Sequence, residues 1–238
     1  MPDDLLARLA AEPRRAAILL DVDGTLAPIV ARPEDARVPD DTRRELARLA
    51  SRYALVACVS GRAGTEVERL VDVPGVAVVG EHGLELSPEA ELWADRVASF
   101  ASGVDWPAER KPLSVSFHFR RADDEAAARA YLTRVEDAAR AEGLVPRWGR
   151  MVLEVRPPVR ADKGTAVAEL VRRAAVTRAL YAGDDTTDLD AFAGLLEAGL
   201  DHAVRVAVTS DEGPDELAEA ADLVVSGPAE LAGLLRLL

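Results

Sequence analysis

The chain has 238 residues, 49% hydrophobic and 30% charged, the composition of a folded globular protein rather than a disordered or low-complexity one. A net charge of −13 disfavours a general nucleic-acid binder, because binding a polyanion relies on Lys and Arg to neutralise phosphates. The single cysteine, Cys58, rules out an internal disulfide and a cysteine-based zinc cluster, and within an apolar run it reads as a small core residue. The opening MPDDLLARLA carries acids where a secretion signal carries bases. No apolar run approaches the roughly 18 residues of a membrane span, so a cytoplasmic protein is expected. A monomer is the expectation for its assembly, with no sequence feature behind it.

Apolar runs and amphipathic stretches alternate through the first third. Ala16–Leu20 reads as a strand, residues 40–51 as a helix with Leu46, Leu49 and Ala50 on one face, and Tyr53–Val59 as a second strand. A short helix over Gly64–Val71 and a third strand over Val76–Val79 follow. The pattern breaks after Gly83: residues 84–112 are mixed and punctuated by Pro88, Pro107 and Pro112. Leu113–Phe119 alternates apolar and polar side chains, the signal of a strand with one solvated face. A long Ala-rich helix over Asp123–Glu142 and a strand over Met151–Val155 complete this middle section. Strand–helix alternation then resumes: helix 164–174, strand 179–182, helix 189–198, strand 204–208, helix 215–220, strand 223–225 and a closing helix over 229–238. The prediction is an α/β fold: a parallel-sheet core with helices on both faces, formed by residues 1–86 and 159–238, interrupted by an inserted α+β domain over 87–158.

Chemistry gathers where the core strands end. Asp21 and Asp23, followed by Gly24 and Thr25, close the first strand, and ligands of open α/β sheets bind outside such C-terminal strand ends. The same string is also ordinary turn chemistry. Gly183-Asp184-Asp185-Thr186-Thr187-Asp188 repeats the arrangement at a later strand, although Asp188 alone suits a helix cap. Two acidic clusters at matching strand ends repel each other unless a cation sits among them, and an oxygen-only set suits Mg²⁺. Ser60, at the second strand's end, can hold a phosphate oxygen or form a plain turn with Gly61. Of 29 basic residues only Lys111 and Lys163 are lysines. Lys163 opens a helix, where a cation opposes the dipole, so a nearby acid or bound phosphate is expected to hold it.

In order and context, Asp21-x-Asp23-Gly24-Thr25, Ser60, Lys163 and Gly183-Asp184-Asp185-x-x-Asp188 resemble the four motifs of the haloacid dehalogenase (HAD) superfamily of phosphatases. Within it the chain most resembles the trehalose-6-phosphate phosphatase family, through Val59-Ser-Gly-Arg62, Gly80-Glu-His-Gly83, Lys111, Ser116-Phe-His-Phe-Arg120 and the stretch from Gly149 to Pro157. The resemblance implies an HAD-like core with a substrate-specificity cap. It also implies a Mg²⁺-dependent phosphatase acting on a small sugar phosphate through an aspartyl-phosphate. Asp21 would be the nucleophile and Asp23 the general acid and base. Asp21, the Asp23 carbonyl and Asp184 would hold the metal, with Asp185 and Asp188 acting around it. Lys163 and Ser60 would bind the transferring phosphoryl group. Glu109, Lys111, Arg150 and Glu154 would hold the distal sugar, with Gly61, Arg62, His82, His118 and Arg120 as further contacts. Arg150 stands where the family often has lysine, and Leu189 where an acid is usual.

Other readings stay open at this point. The same chemistry serves sucrose phosphate or mannosyl-3-phosphoglycerate, a phosphomutase shares such a core, and a non-catalytic sugar-phosphate sensor is a fourth. The last expects a missing nucleophile or acid, and none is missing here.

Overall fold

The computed structural model describes residues 2–30, 32–149, 151–210 and 213–238. The chain forms two compact units, one made of the chain up to Gly83 together with Ala161–Leu238, the other of Leu84–Arg160.

The first unit runs α1 (Pro2–Ala11), β1 (Ala16–Leu20), α2 (Asp40–Arg52), β2 (Leu55–Val59), α3 (Gly64–Val71) and β3 (Ala77–Val79). The second inserts α4 (Pro88–Glu91), α5 (Ala94–Gly103), β4 (Glu109–Arg110), β5 (Val115–His118), α6 (Glu125–Ala141), β6 (Val145–Gly149) and β7 (Val152–Arg156). The first unit then resumes with α7 (Lys163–Ala174), β8 (Arg178–Gly183), α8 (Thr187–Glu197), β9 (His202–Thr209), α9 (Asp215–Ala220), β10 (Leu223–Ser226) and α10 (Gly227–Leu235). No helix among the described residues is long and apolar enough to cross a membrane.

Six parallel strands in the order β10-β9-β8-β1-β2-β3 form the core sheet. Every residue of β1 is buried, as expected of a central parallel strand covered on both faces. Leu46 and Leu49 of α2 and Leu231 and Leu235 of α10 join Ile18, Leu20, Cys58, Leu180 and Val206 in one apolar cluster. Cys58 is a core residue, its thiol pushed up to about 12 by burial and by the charge of Asp21, which leaves it unreactive. From β1 the chain proceeds to β2 and β3 on one side and later to β8, β9 and β10 on the other, so the strand order reverses between β1 and β8. That is the switch point where such sheets open a crevice for ligands.

The inserted unit is a four-stranded antiparallel sheet, β4-β5-β7-β6. Val97 and Phe100 of α5 and Leu132 and Val135 of α6 pack with Val115, Phe117, Leu153 and Val155 of the sheet. By alternation, Ser116, His118 and Glu154 point to the opposite face. The structure adds elements to the sequence expectation. The mixed stretch after Gly83 holds α4, α5 and β4, because Val97, Phe100 and Ala101 supply a helical apolar stripe too short to stand out between prolines. Strand β6 was not expected: Pro146 removes a ladder donor, which is tolerated because β6 is an edge strand. Helix α1 likewise precedes the first expected strand.

Candidate active site

Register brings the acidic strand ends together. Leu20 pairs with Ala182 on one side and with Cys58 on the other, so Asp21 stands level with Gly183 and Val59. Its N–H continues the ladder to the Ala182 carbonyl at 2.9 Å. Beyond it the chain folds back tightly: the Leu26 and Ala27 N–H groups both donate to the Val22 carbonyl at 2.8 Å. Gly24 turns that loop with φ 78°, and a Cβ there would collide with the Asp184 carboxylate. The loop therefore requires glycine twice, for its backbone and for the closeness of the second acid.

Asp21, Asp184 and Asp188 each offer a carboxylate oxygen, all within 4.8 Å of one another and all buried. Lys163 lies among them, its Nζ donating to Asp21 Oδ1 at 2.8 Å and to Asp188 Oδ1 at 2.6 Å. The expected partner for a cation at a helix start is thus found. Asp162 and Thr165 cap α7 reciprocally, so the helix end is satisfied without Lys163. Thr25 Oγ1 donates to Asp184 Oδ1 at 3.2 Å and orients the second acid.

One ammonium faces three carboxylates, and the electrostatics show it. Burial alone would lower Lys163, but the charges of Asp188 and Asp21 outweigh it and hold the ammonium above its usual range. Burial raises Asp21 well above an ordinary carboxylate; Lys163 opposes that rise and Asp188 and Asp184 add to it. Asp184 is pushed up to about 6, again first by burial and then by Asp188. The surplus negative charge in an all-oxygen pocket fits a hard divalent cation such as Mg²⁺.

A pH effect follows. Asp184 binds its proton more tightly folded than unfolded, so it stabilises the metal-free protein below its unfolded value of 3.8 and that contribution is lost as pH rises to about 6. A divalent cation bound there would compete with that proton, so the rise in melting temperature on adding Mg²⁺ should be larger near about pH 7.5 than near about pH 5.5. Equal shifts at both would place the cation elsewhere.

The other expected residues separate into groups. Asp188 is fully buried and saturated: Oδ1 accepts from Lys163 and from Tyr181 Oη at 2.7 Å, and Oδ2 from the N–H groups of Asp184 and Asp185 at 2.9 Å each. Asp185 is exposed and accepts from the Thr186 N–H at 2.6 Å, outside the three-carboxylate group. Asp23 directs its carboxylate to Arg62, with bonds of 2.6 and 2.7 Å. Ser60 is buried, and its Oγ accepts from the Arg62 N–H at 3.2 Å. The His82 N–H donates to the Ser60 carbonyl at 2.8 Å, and a Cβ at Gly61 would press on the His82 imidazole. Ser60, Gly61, Arg62 and His82 therefore form one knot of two loops after β2 and β3.

In the inserted unit, antiparallel register aligns Glu109, Ser116, Glu154 and Arg147 across the sheet. Lys111 Nζ stands 3.8 Å from both Glu109 and Glu154, and His118 Nε2 is 2.7 Å from Glu109 Oε2. These four candidates share one face. Arg120 lies exposed beyond β5, and Arg150 lies outside the described residues.

The sequence alone assigns no role of their own to three residues in or beside the site. Tyr181 sits in an apolar strand run and reads as core until its hydroxyl is seen on Asp188. Burial pushes that phenol well up, so it stays a donor. Thr25 reads as a turn residue. Glu81 is a fully buried acid with φ 50°, followed by His82 at φ 54° and Gly83 at φ 96°. Consecutive left-handed residues cost about 1–3 kcal/mol at each non-glycine position and persist only where the surrounding structure fixes them.

The family model for trehalose-phosphatase matches residues 19–106 and 107–225, spanning both units. The chain belongs to the trehalose-phosphatase family. Within that family it is 34% identical, over 92% of its length, to a trehalose-phosphate phosphatase of Mycobacterium avium, of which it covers 61%. A protein of Mycobacterium tuberculosis described as an uncharacterized glycosyl hydrolase is 33% identical over 81% of this chain, which covers only 16% of that protein. The chain thus spans a part of these curated relatives. Among solved structures, a trehalose-6-phosphate phosphatase of Aspergillus fumigatus superposes with a TM-score of 0.67 at 27% identity, covering 99% of this chain and 96% of that one. A haloacid dehalogenase-like hydrolase from Bacteroides thetaiotaomicron shares the fold, with a TM-score of 0.60 at 16% identity. The chain has an HAD-like fold: a parallel core sheet in one unit and an antiparallel sheet in the other.

Proposed function

We propose that this chain is a phosphatase that hydrolyses trehalose 6-phosphate to trehalose and inorganic phosphate through an aspartyl-phosphate. The observation that carries the proposal is the buried cluster at the β1/β8 switch point, where Asp21, Lys163 and Asp184 converge in a chain of the trehalose-phosphatase family.

Lys163 engages Asp21 Oδ1 and leaves the other oxygen to attack phosphorus. As the Asp21 O–P bond forms, the bond from phosphorus to the sugar oxygen breaks; the electron pair departs on that oxygen, which takes a proton from Asp23. In the second step Asp23 takes a proton from water, the hydroxide attacks phosphorus, and the acyl phosphate bond breaks to restore the Asp21 carboxylate. Lys163 and Ser60 stabilise charge on the transferring group, and Gly61 and His82 line its approach. Asp21, the Asp23 carbonyl and Asp184 would hold Mg²⁺, which supplies positive charge beside the phosphate when bound. Asp188, already accepting four hydrogen bonds, holds Lys163 and the Asp184 backbone in place, and Asp185 shapes the start of α8. Glu109, Lys111, His118 and Glu154 would hold the distal sugar, since neighbouring carboxylates and cations match vicinal hydroxyls; the family resemblance adds Arg120 and Arg150.

Phosphate release from trehalose 6-phosphate, sucrose 6-phosphate, glucose 6-phosphate and mannosyl-3-phosphoglycerate, each with Mg²⁺ and with EDTA, tests this. Turnover of trehalose 6-phosphate with Mg²⁺ and none with EDTA is expected. Preference for another ester keeps the core chemistry and overturns the sugar assignment; no release from any overturns the proposal.

A further inference from the structure

The Arg62 guanidinium faces an acid inside its own unit. Nε donates to Asp23 Oδ2 at 2.6 Å and Nη2 donates to Oδ1 at 2.7 Å, a two-pronged pairing. Exposed ion pairs contribute little, but this one has the geometry that escapes that rule, and the arginine side chain is only 16% exposed. Its backbone is held too. The Arg62 N–H rests on Ser60 Oγ, and its carbonyl accepts from the N–H of Glu81 at 2.8 Å, the buried residue of the left-handed loop. The knot of loops after β2 and β3 thus aims one side chain at the end of β1. Two N–H donors use one lone pair on each oxygen of Asp23 and leave one on each, so the clamped carboxylate keeps an edge for a reacting proton.

We infer that Arg62 is a positioning residue for Asp23, fixing the carboxylate that exchanges protons with the leaving oxygen and with water. The inference rests on the assignment of Asp23 as acid and base. It separates Arg62 from a plain phosphate ligand by leaving-group chemistry. A sugar alkoxide needs a proton as it departs, whereas p-nitrophenolate leaves without one. A residue acting through Asp23 matters for the first ester far more than for the second; a residue binding the phosphoryl group matters equally for both, since that group is the same.

The experiment compares kcat/KM for trehalose 6-phosphate, or the panel sugar phosphate preferred, with kcat/KM for p-nitrophenyl phosphate, because this ratio reports the first phosphoryl transfer. Wild type, Arg62→Gln, Arg62→Lys, Asp23→Asn and the Arg62→Gln/Asp23→Asn double variant are measured with Mg²⁺, each checked for an unchanged melting profile. Arg62→Gln should lose at least about 10-fold more on the sugar phosphate than on the aryl phosphate, within the range that general acid catalysis contributes. Arg62→Lys should lose selectively as well, because an ammonium lacks the fork. The double variant should be no worse than Asp23→Asn alone. Equal losses on both esters, or full rescue by lysine, would overturn the inference and leave Arg62 as a phosphate ligand. Should Asp23→Asn itself lose equally on both esters, the acid–base assignment falls and the inference with it, a result distinct from failure of the Arg62 variants alone.

Discussion

Replacing Asp21 by asparagine is expected to lower kcat for phosphate release by at least about 10⁴-fold, the scale seen when a covalent nucleophile is removed. Asparagine keeps the size of the side chain and an oxygen for the Lys163 ammonium, but it cannot form the proposed acyl phosphate. The same change removes one of three negative charges crowded around one positive charge. Burial and the like charges of Asp188 and Asp184 hold Asp21 well above an ordinary carboxylate, so its ionised form burdens the metal-free fold. The melting temperature of the metal-free variant should therefore stay level or rise, as happens where a site trades stability for activity. Phosphate release and thermal melting on one preparation check both halves. A variant that melts much lower would mean that Asp21 is chiefly a structural ion-pair partner.

Lys163→Met should shift stability in the opposite direction. Methionine matches the stem of lysine but removes the only cation that any described ion pair gives to Asp21 and Asp188. Removing one partner of a buried ion pair typically costs about 3–5 kcal/mol, because the remaining charge is stranded. For a chain of this length that is a fall in melting temperature on the order of 10 °C. The fall should be smallest near about pH 5, where Asp184 can take up a proton, and should grow toward about pH 8 as it ionises. Activity should drop by about 10²–10³-fold, the usual effect of deleting one donor to developing charge. Melting curves across pH and phosphate release together test the change. A variant as stable as wild type at high pH would show that the cluster does not depend on Lys163 for its charge balance.

Both residues are legible in the sequence, for different physical reasons. Asp21 announces itself, because an apolar strand buried on both faces that runs into two acids needs a reason outside the strand. Lys163 stands out as one of two lysines among 29 basic residues, placed where the helix dipole opposes it. From the sequence, Asp188 suits a helix cap, a metal ligand or a neighbour of the metal equally. Its four hydrogen bonds come from Lys163, Tyr181 and the turn after β8, three separate places whose meeting no spacing rule encodes.

By itself the sequence determined what depends on local pattern. Alternating strands and helices prescribed the parallel core, the period-2 run at residues 113–119 prescribed a one-sided sheet strand in the insertion, and acids after apolar runs prescribed which strand ends carry chemistry. Only the tertiary structure decided what depends on register between strands distant in sequence. Pairing of Leu20 with both Ala182 and Cys58 brings Asp21, Asp184 and the Arg62 loop to one end of the sheet. Antiparallel pairing of β4, β5 and β7 gathers Glu109, Lys111, His118 and Glu154 on one face. The clamp of Arg62 on Asp23 and the hydroxyl of Tyr181 beneath Asp188 belong to this second class. A side chain's type limits which bonds it can make, but its partner is set by which backbones the fold places about 5 Å apart, and that is a property of the whole sheet.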